Sequence, residues 1–497
     1  MEDKLYLGID IGTYETKGVL VDSKGFVHNK ASIKHEMIIP KPGWAEHSPK
    51  DVWWGDFVKI TNILLSEKNV FSEQIASVAV SAIGPCMLPI DNSGSPLYSG
   101  ILYGVDTRAT KEIKFLNETI GEEKIFNFGG NTLTSQSIGP KILWLKNNHP
   151  EIYKKADKIV TSTTFVVKKL TNKCVIDHYT AANFTPLYDK SKLKWSDELS
   201  KGIIDISKLP ELKWSTEIAG YITEKASLDT GLPKGVPVTV GTIDAAAEAI
   251  SVGVKEIGDM MIMYGSTMFF IGLTSRNKSN KTLWSAPWLF EDEYALMAGT
   301  STSGTITQWF KKEFAKDLNS DTVFEKLTKL AEKSPIGSNN LITLPYFSGE
   351  RTPIQNPNAC GIIFGLNLTH TRGDIYRSII EGISFGANHI IETFKDSGFI
   401  PNKLFAVGGG VKNKIWTTAV SDISGLDQIV KSKTLGAAYG NAFLAALSIR
   451  DVKRTDIIDW NSNLLTITSK SNKIYSKQYK LFKKLYKNTS GMLDIKN

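Results

Sequence analysis

The sequence predicts an α/β protein made of two similar lobes. Short apolar strands alternate with helical stretches along the chain. A strand–turn–strand unit opens the chain, and a unit of the same design returns about half a chain later. That recurrence favours an internal duplication, with one lobe facing the other.

The opening unit is Leu5-Tyr-Leu-Gly-Ile-Asp-Ile-Gly-Thr-Tyr-Glu-Thr-Lys-Gly-Val-Leu-Val-Asp22. Two runs rich in β-formers flank the turn Gly12-Thr13-Tyr14-Glu15, which is a hairpin pattern. Side chains alternate along a strand, so Leu5, Leu7, Ile9 and Ile11 share one face, and Tyr6, Gly8 and Asp10 the other. Asp10 is thus a lone carboxylate at the end of an apolar strand, beside a glycine–hydroxyl turn. Such a turn can offer N–H groups and hydroxyls to a phosphate, while the carboxylate holds a hydrated Mg²⁺. An ordinary hairpin with Asp10 as a turn-flanking residue fits this segment equally well.

Ile75–Ser81 reads as a strand, Lys141–Asn147 and Pro150–Ala156 as helices, and Lys158–Val160 as the start of another strand. Glu198–Lys213 is short and turn-rich. Pro237–Gly241 reads as a buried strand, and a small-residue helix starts near Ala245. Asp244 lies at that helix's N-terminus, where an aspartate is commonly a cap. Its functional reading is a base accepting a hydroxyl proton. The second hairpin is Met260–Tyr264, the turn Gly265-Ser266-Thr267, then Met268–Leu273. Phe405-Ala-Val-Gly408-Gly409-Gly410 is a strand running into glycines that let a ligand approach closely, with Asn413 and Trp416 after it. The helices Lys414–Ser424 and Gly436–Ala446 follow, the latter with small residues that suit tight packing.

Length and composition set the class. At 497 residues the chain exceeds one core, and roughly two to four domains are expected. Hydrophobic residues are 41% and charged ones 22%, ordinary for a soluble protein. Cys86, Cys174 and Cys360 are far apart and form neither a disulfide framework nor a zinc spacing. With no signal-like N-terminus, a cytoplasmic setting is expected. The most apolar window, Met260 to Leu273, is too short and too interrupted for a membrane span. The net charge of +8 gathers in Lys470–Lys487, read as the solvated face of an amphipathic helix rather than a nucleic-acid groove. No nucleic-acid or membrane partner is expected, and a homodimer stays open.

These segments, in this order, resemble the FGGY family of carbohydrate kinases, within the actin-like ATPase fold. The likeness runs over nearly the whole chain. It rests on Asp10-Ile-Gly-Thr13 with Lys17, Pro42-Gly-Trp-Ala-Glu46, Ile101-Leu-Tyr-Gly-Val-Asp106-Thr-Arg108 and Lys141 with Leu143–Lys146. It continues through Gly241-Thr-Ile-Asp244, Gly265-Ser-Thr267, Gly349-Glu-Arg-Thr-Pro353, Glu381–Phe385 and Gly408-Gly-Gly410 with Asn413.

The resemblance implies two ribonuclease-H-like domains, 1–250 and 251–497, with an active-site cleft between them. The first would carry the sugar site, first phosphate loop and catalytic base, the second the ATP and adenosine site. It implies ATP and Mg²⁺ as cofactors, with Asp10 toward the metal and Gly12, Thr13, Tyr14, Glu15 and Lys17 toward the phosphates. Gly265, Ser266 and Thr267 would form the second phosphate loop, Gly408, Gly409 and Asn413 would border adenosine, and Asp244 would be the general base. Pro85, Asp106 and Arg108 would lie on the sugar side, near Glu46, though Asp106 and Arg108 also read as a structural ion pair.

Within the family the chain most resembles the xylulokinases, which implies a pentulose such as D-xylulose. Polyol or sugar-acid acceptors, glycerol-like or gluconate-like, are the alternatives. From another class, an actin-like nucleotide switch without sugar transfer is weighed. Three departures stand out. Ala82-Ile-Gly-Pro85-Cys86 replaces Gly-Gln-Met-His-Gly, Ala245 replaces an asparagine, and Tyr14-Glu15 replaces small hydroxyl residues. Glu15 is expected to turn away from the phosphates.

Overall fold

The alternation of apolar residues that predicts the first hairpin is realised as β1 (Leu5–Ile11) and β2 (Glu15–Asp22), paired antiparallel with Asp10 opposite Lys17. The computed structural model describes residues 4–319 and 321–492. Strand β3 (Val27–Lys34) pairs antiparallel with β2. On the other side of β1 runs parallel β4 (Ile75–Ala82). The edge is formed by β5 (Ile218–Tyr221) and β6 (Pro237–Thr239), giving the order β5-β6-β4-β1-β2-β3. A short β7 (Thr242–Ile243) extends the pairing of β4 beyond β6.

The second sheet comprises β8 (Asp259–Tyr264), β9 (Met268–Thr274), β10 (Trp284–Pro287), β11 (Tyr294–Gly299), β12 (Lys403–Val407), β13 (Gln428–Lys431) and β14 (Asn463–Ile467). Its order is β10-β11-β9-β8-β12-β13-β14. Laid side by side, β11-β9-β8-β12-β13-β14 and β3-β2-β1-β4-β6-β5 have the same strand directions at every step. The duplication inferred from two hairpins therefore extends to whole sheets, and both lobes have the ribonuclease-H-like arrangement.

Helices α1 (Gly55–Leu65) and α2 (Ser162–Thr171) cover one face of the first sheet, where Phe57, Ile60, Leu64 and Phe165 join Leu7, Ile9 and Val80 in the core. The other face carries α3 (Asp244–Ser251) and a helix from far downstream. In the second lobe, α4 (Gly304–Phe314), α5 (Val323–Lys333), α6 (Arg372–Asp396) and α7 (Lys414–Ser424) pack over Met260, Ile262 and Leu404.

The small-residue segment forms α8 (Ala437–Ser448), which lies on the first sheet although it comes from the second half of the chain. Its Asn441 Nδ2 donates to the Ile9 carbonyl at 2.7 Å, and Ser77 Oγ donates to the Ala445 carbonyl at 2.7 Å. A second tie crosses elsewhere: Asn131 and the Ser285 backbone exchange two hydrogen bonds, and Lys190 Nζ donates to Ser285 Oγ at 2.6 Å.

The basic C-terminal segment is α9 (Lys473–Thr489). Tyr475, Tyr479 and Phe482 are buried against Phe385 and Tyr346, and its lysines face outward. Among the described residues no helix is long and apolar enough to cross a membrane.

Candidate active site

Three carboxylates converge where α3 meets the end of β1. Asp244 starts α3, and its Oδ1 accepts the Ala245 N–H at 2.7 Å. The strand before it is pinned: Thr242 Oγ1 donates to Asp177 at 2.8 Å, and Thr163 Oγ1 to the Thr242 carbonyl at 2.9 Å. Asp10 Oδ1 accepts from Ser81 Oγ at 2.7 Å, and Ser81 in turn accepts from Asn441 Nδ2 at 2.7 Å. Asp10 Oδ2 takes no hydrogen bond from a described residue. Glu248, one turn after Asp244 on α3, was not singled out by the sequence.

Each of the three keeps some contact with solvent, yet protein surrounds each carboxyl densely. Burial lifts all three above the usual carboxylate range, and the Asp10 charge adds to the lift on Asp244 and Glu248. Glu248 is pushed up to about 7. Lys17, across the strand pair from Asp10, opposes the lift on Asp10.

The first turn sits at the same strand end. Gly12 N–H closes it by donating to the Glu15 carbonyl at 2.9 Å. The N–H groups of Thr13 and Tyr14 donate to no described residue, so they are free for a ligand. Thr13 Oγ1 lies 3.4 Å from the Tyr103 hydroxyl, and Asp244 acts electrostatically on Tyr103. Glu15 lies 3.3 Å from Lys17 Nζ, with both side chains partly in solvent. Burial would raise its pKa, but Ser32 and Lys17 outweigh it and hold Glu15 below its ordinary value.

Pro85 is buried just past β4, and Gly84 packs beside Ile243, so this segment borders Asp244. Cys86 is buried there too, its thiol pushed up to about 12 by burial.

The second turn is held from behind by a loop that sequence reading missed. Gly265 N–H donates to the Thr267 carbonyl at 3.1 Å. Ser303 N–H donates to the Ser266 carbonyl at 2.9 Å, Gly304 N–H to the Gly265 carbonyl at 3.1 Å, and Met268 N–H to Thr300 Oγ1 at 2.9 Å. The N–H groups of Ser266 and Thr267 donate to no described residue.

Beside this turn opens a cavity of about 660 Å³, whose lining includes Gly265, Ser266, Gly409, Gly410, Asn413 and Trp416. The two glycine segments, far apart in sequence, thus share one cavity. Thr267 and Gly408 adjoin it in sequence without lining it. Gly408 has φ +92°, and a Cβ there would lie 2.6 Å from the Tyr264 carbonyl, so only glycine suits the position. Asn413 caps α7 through its Oδ1, which accepts the Trp416 N–H at 3.2 Å.

Asp106 and Arg108 form a buried network of their own, in which Arg108 Nη1 donates to no described residue. Arg108 Nε and Nη2 donate to Asp106 at 2.7–2.9 Å, and Nη2 also reaches Glu46 at 2.9 Å. Asp106 Oδ2, which accepts from Arg108 Nη2, also accepts the Ala45 N–H at 2.7 Å. Trp44 flanks the guanidinium 3.9 Å from Cζ, with Trp144 at 4.9 Å. The Arg108 side chain has no exposed surface.

Comparison with known proteins agrees with this architecture. The N-terminal domain of the FGGY family of carbohydrate kinases matches residues 5–251, and its C-terminal domain residues 260–449. The chain is 27% identical to the xylulose kinase of Staphylococcus xylosus over 446 residues, 89% of this chain and 90% of that one. It is 24% identical to the gluconokinase of Bacillus subtilis (strain 168) over 499 residues, 98% of this chain and 96% of that one. The crystal structure of xylulose kinase from Rhodospirillum rubrum superposes with a TM-score of 0.93 at 26% identity, covering 99% of this chain and all of that one. The chain therefore belongs to the FGGY family of carbohydrate kinases, enzymes that transfer a phosphoryl group from ATP to a sugar hydroxyl.

Proposed function

We propose that the sugar is a neutral pentulose, D-xylulose first, and that Asp244 is the general base. The observation that carries the choice is Arg108. Two carboxylates take its Nε and Nη2 and two tryptophans flank it, leaving only Nη1 unpaired, so the cation best suited to grip a sugar acid is largely committed. That argues against a gluconate-like acceptor. The xylulose kinases among the relatives support the same choice.

Phosphoryl transfer to an alcohol asks the protein mainly for positioning and charge stabilisation. Asp244 is fixed at a helix start beside Pro85 and Cys86, where a sugar hydroxyl can hydrogen-bond to it. It accepts the hydroxyl proton as that oxygen attacks the γ-phosphorus and ADP departs. The free N–H groups of Thr13 and Tyr14 serve the phosphates from one lobe, and those of Ser266 and Thr267 from the other. The cavity edged by Gly409, Gly410 and Asn413 takes the adenosine. Pro85 and Ala245 offer the sugar no polar side chain, so its hydroxyls are read by other groups.

The residues present fit a hydrated Mg²⁺. Asp10 keeps one oxygen open, and three crowded carboxylates leave negative charge that a divalent cation would relieve. When bound, Mg²⁺ would neutralise charge on the transferring phosphates.

The test is ADP release over a panel of pentuloses, hexuloses, polyols and sugar acids. A pentulose should give the highest kcat/KM; preference for gluconate or glycerol would overturn the substrate assignment. Turnover independent of any sugar would favour a nucleotide switch instead.

A further inference from the structure

Two histidines stand behind the first turn and take no part in the site described above. His35, just past β3, has Nε2 3.0 Å from the Gly12 carbonyl oxygen and Nδ1 2.9 Å from Asp56 Oδ2. His47 has Nε2 3.0 Å from the Thr13 carbonyl oxygen, and its Nδ1 accepts the Trp53 indole N–H at 3.2 Å. The rings meet edge to face, 5.1 Å between centroids. The side chains of His35 and Asp56 are 6% and 4% exposed, and His47 is fully buried.

The partners fix how both rings stand. Both neighbours of His35 are acceptors, a carboxylate and a carbonyl, so its ring is held between Asp56 and the Gly12 carbonyl. His47 faces one acceptor and one donor, which suits the neutral ring with its proton on Nε2. Burial first, and then the charge of His35, lower His47 to about 4. The other charged groups around His35 are Asp56 and Lys59 of α1, with Lys59 Nζ 3.7 Å from Asp56 Oδ1. From β2, Thr16 adds a hydroxyl on Asp56 at 3.2 Å.

We infer that His35 and His47 are positioning residues for the phosphates of the donor nucleotide. They draw the Gly12 and Thr13 carbonyls backward, which turns the free N–H groups of Thr13 and Tyr14 toward the ligand. The inference rests on placing the phosphates at Gly12–Glu15.

Calorimetric titration with ADP tests the positioning. His35→Leu, which removes the ring nitrogen held against the Gly12 carbonyl, should weaken ADP about ten-fold, the scale of one hydrogen bond, with the sugar KM unchanged. His47→Gln retains an N–H for Thr13 and should bind ADP like wild type, whereas His47→Leu should not. Equal ADP affinity in all three overturns the inference, even if melting temperatures fall. Thr13→Pro, which removes a turn N–H, is the control: unchanged ADP affinity there would refute the phosphate placement itself.

Discussion

Gly440 of α8 and Ala247 of α3 touch backbone to backbone: a Cβ built on Gly440 would stand 1.9 Å from the Ala247 carbonyl oxygen. Neither helix can retreat, because α8 is held against β1 through Asn441 and α3 carries Asp244. Gly440→Ala should therefore overpack the crossing and cost about 1–3 kcal/mol of stability. Because the same crossing joins Asp244, the proposed base, to the first sheet, kcat and KM should change together. Denaturant unfolding and steady-state kinetics on one preparation check both.

Asp244→Asn should lower kcat by about 10²–10⁴, the usual yield of a general base, while ADP binding stays near wild type. Burial, then Asp10, raise the Asp244 pKa, so wild-type kcat/KM should fall as the pH is lowered, and the asparagine variant should lose that limb. The stability sign runs the other way. A carboxyl raised on folding contributes stability below its unfolded pKa and loses it as pH rises through the folded value. The variant should therefore gain in melting temperature over wild type as pH increases, which thermal scans across pH would show.

Asp10→Ala removes the open carboxylate oxygen while sparing both turns. The Mg²⁺ concentration needed for half-maximal rate should rise, while the pentulose KM at saturating Mg²⁺ moves little. A magnesium titration at fixed ATP decides it, and an unchanged requirement would take Asp10 out of the metal role.

Arg108→Met strands Asp106 and Glu46 as unpaired charges in a closed site. Breaking a buried pair in this way should cost about 3–5 kcal/mol, measured by urea unfolding. No activity on sugar acids should be gained or lost, since the guanidinium faces its own carboxylates.

Much of this was legible from residue order because the signals were local. Each hairpin is one apolar run, one glycine–hydroxyl turn and one apolar run, so both were found with their turns in place. Asp244 at the start of a helix follows from Gly241 and the alanines after it, and the small-residue helix announced its tight contact. What stayed hidden lies in side chains that reach backbone groups far away in sequence. His47 meets the Thr13 carbonyl across 34 positions, and Ser303 meets Ser266 across 37. No periodicity marks such a residue, because its partner is a carbonyl that every position carries. Glu248 was passed over for a related reason: on an exposed helix a glutamate is ordinary, and only the arrival of Asp10 and Gly436 makes it special.

The placement of α8 has a consequence for how the polypeptide is made. One face of the first sheet, including the bare backbone of Gly8, is covered by residues 437–448, which leave the ribosome long after that sheet can pair. During synthesis that face waits, exposed and apolar, for most of the remaining chain. A fragment ending near residue 250 should accordingly be sticky and aggregation-prone, and supplying the later half in trans should restore its solubility.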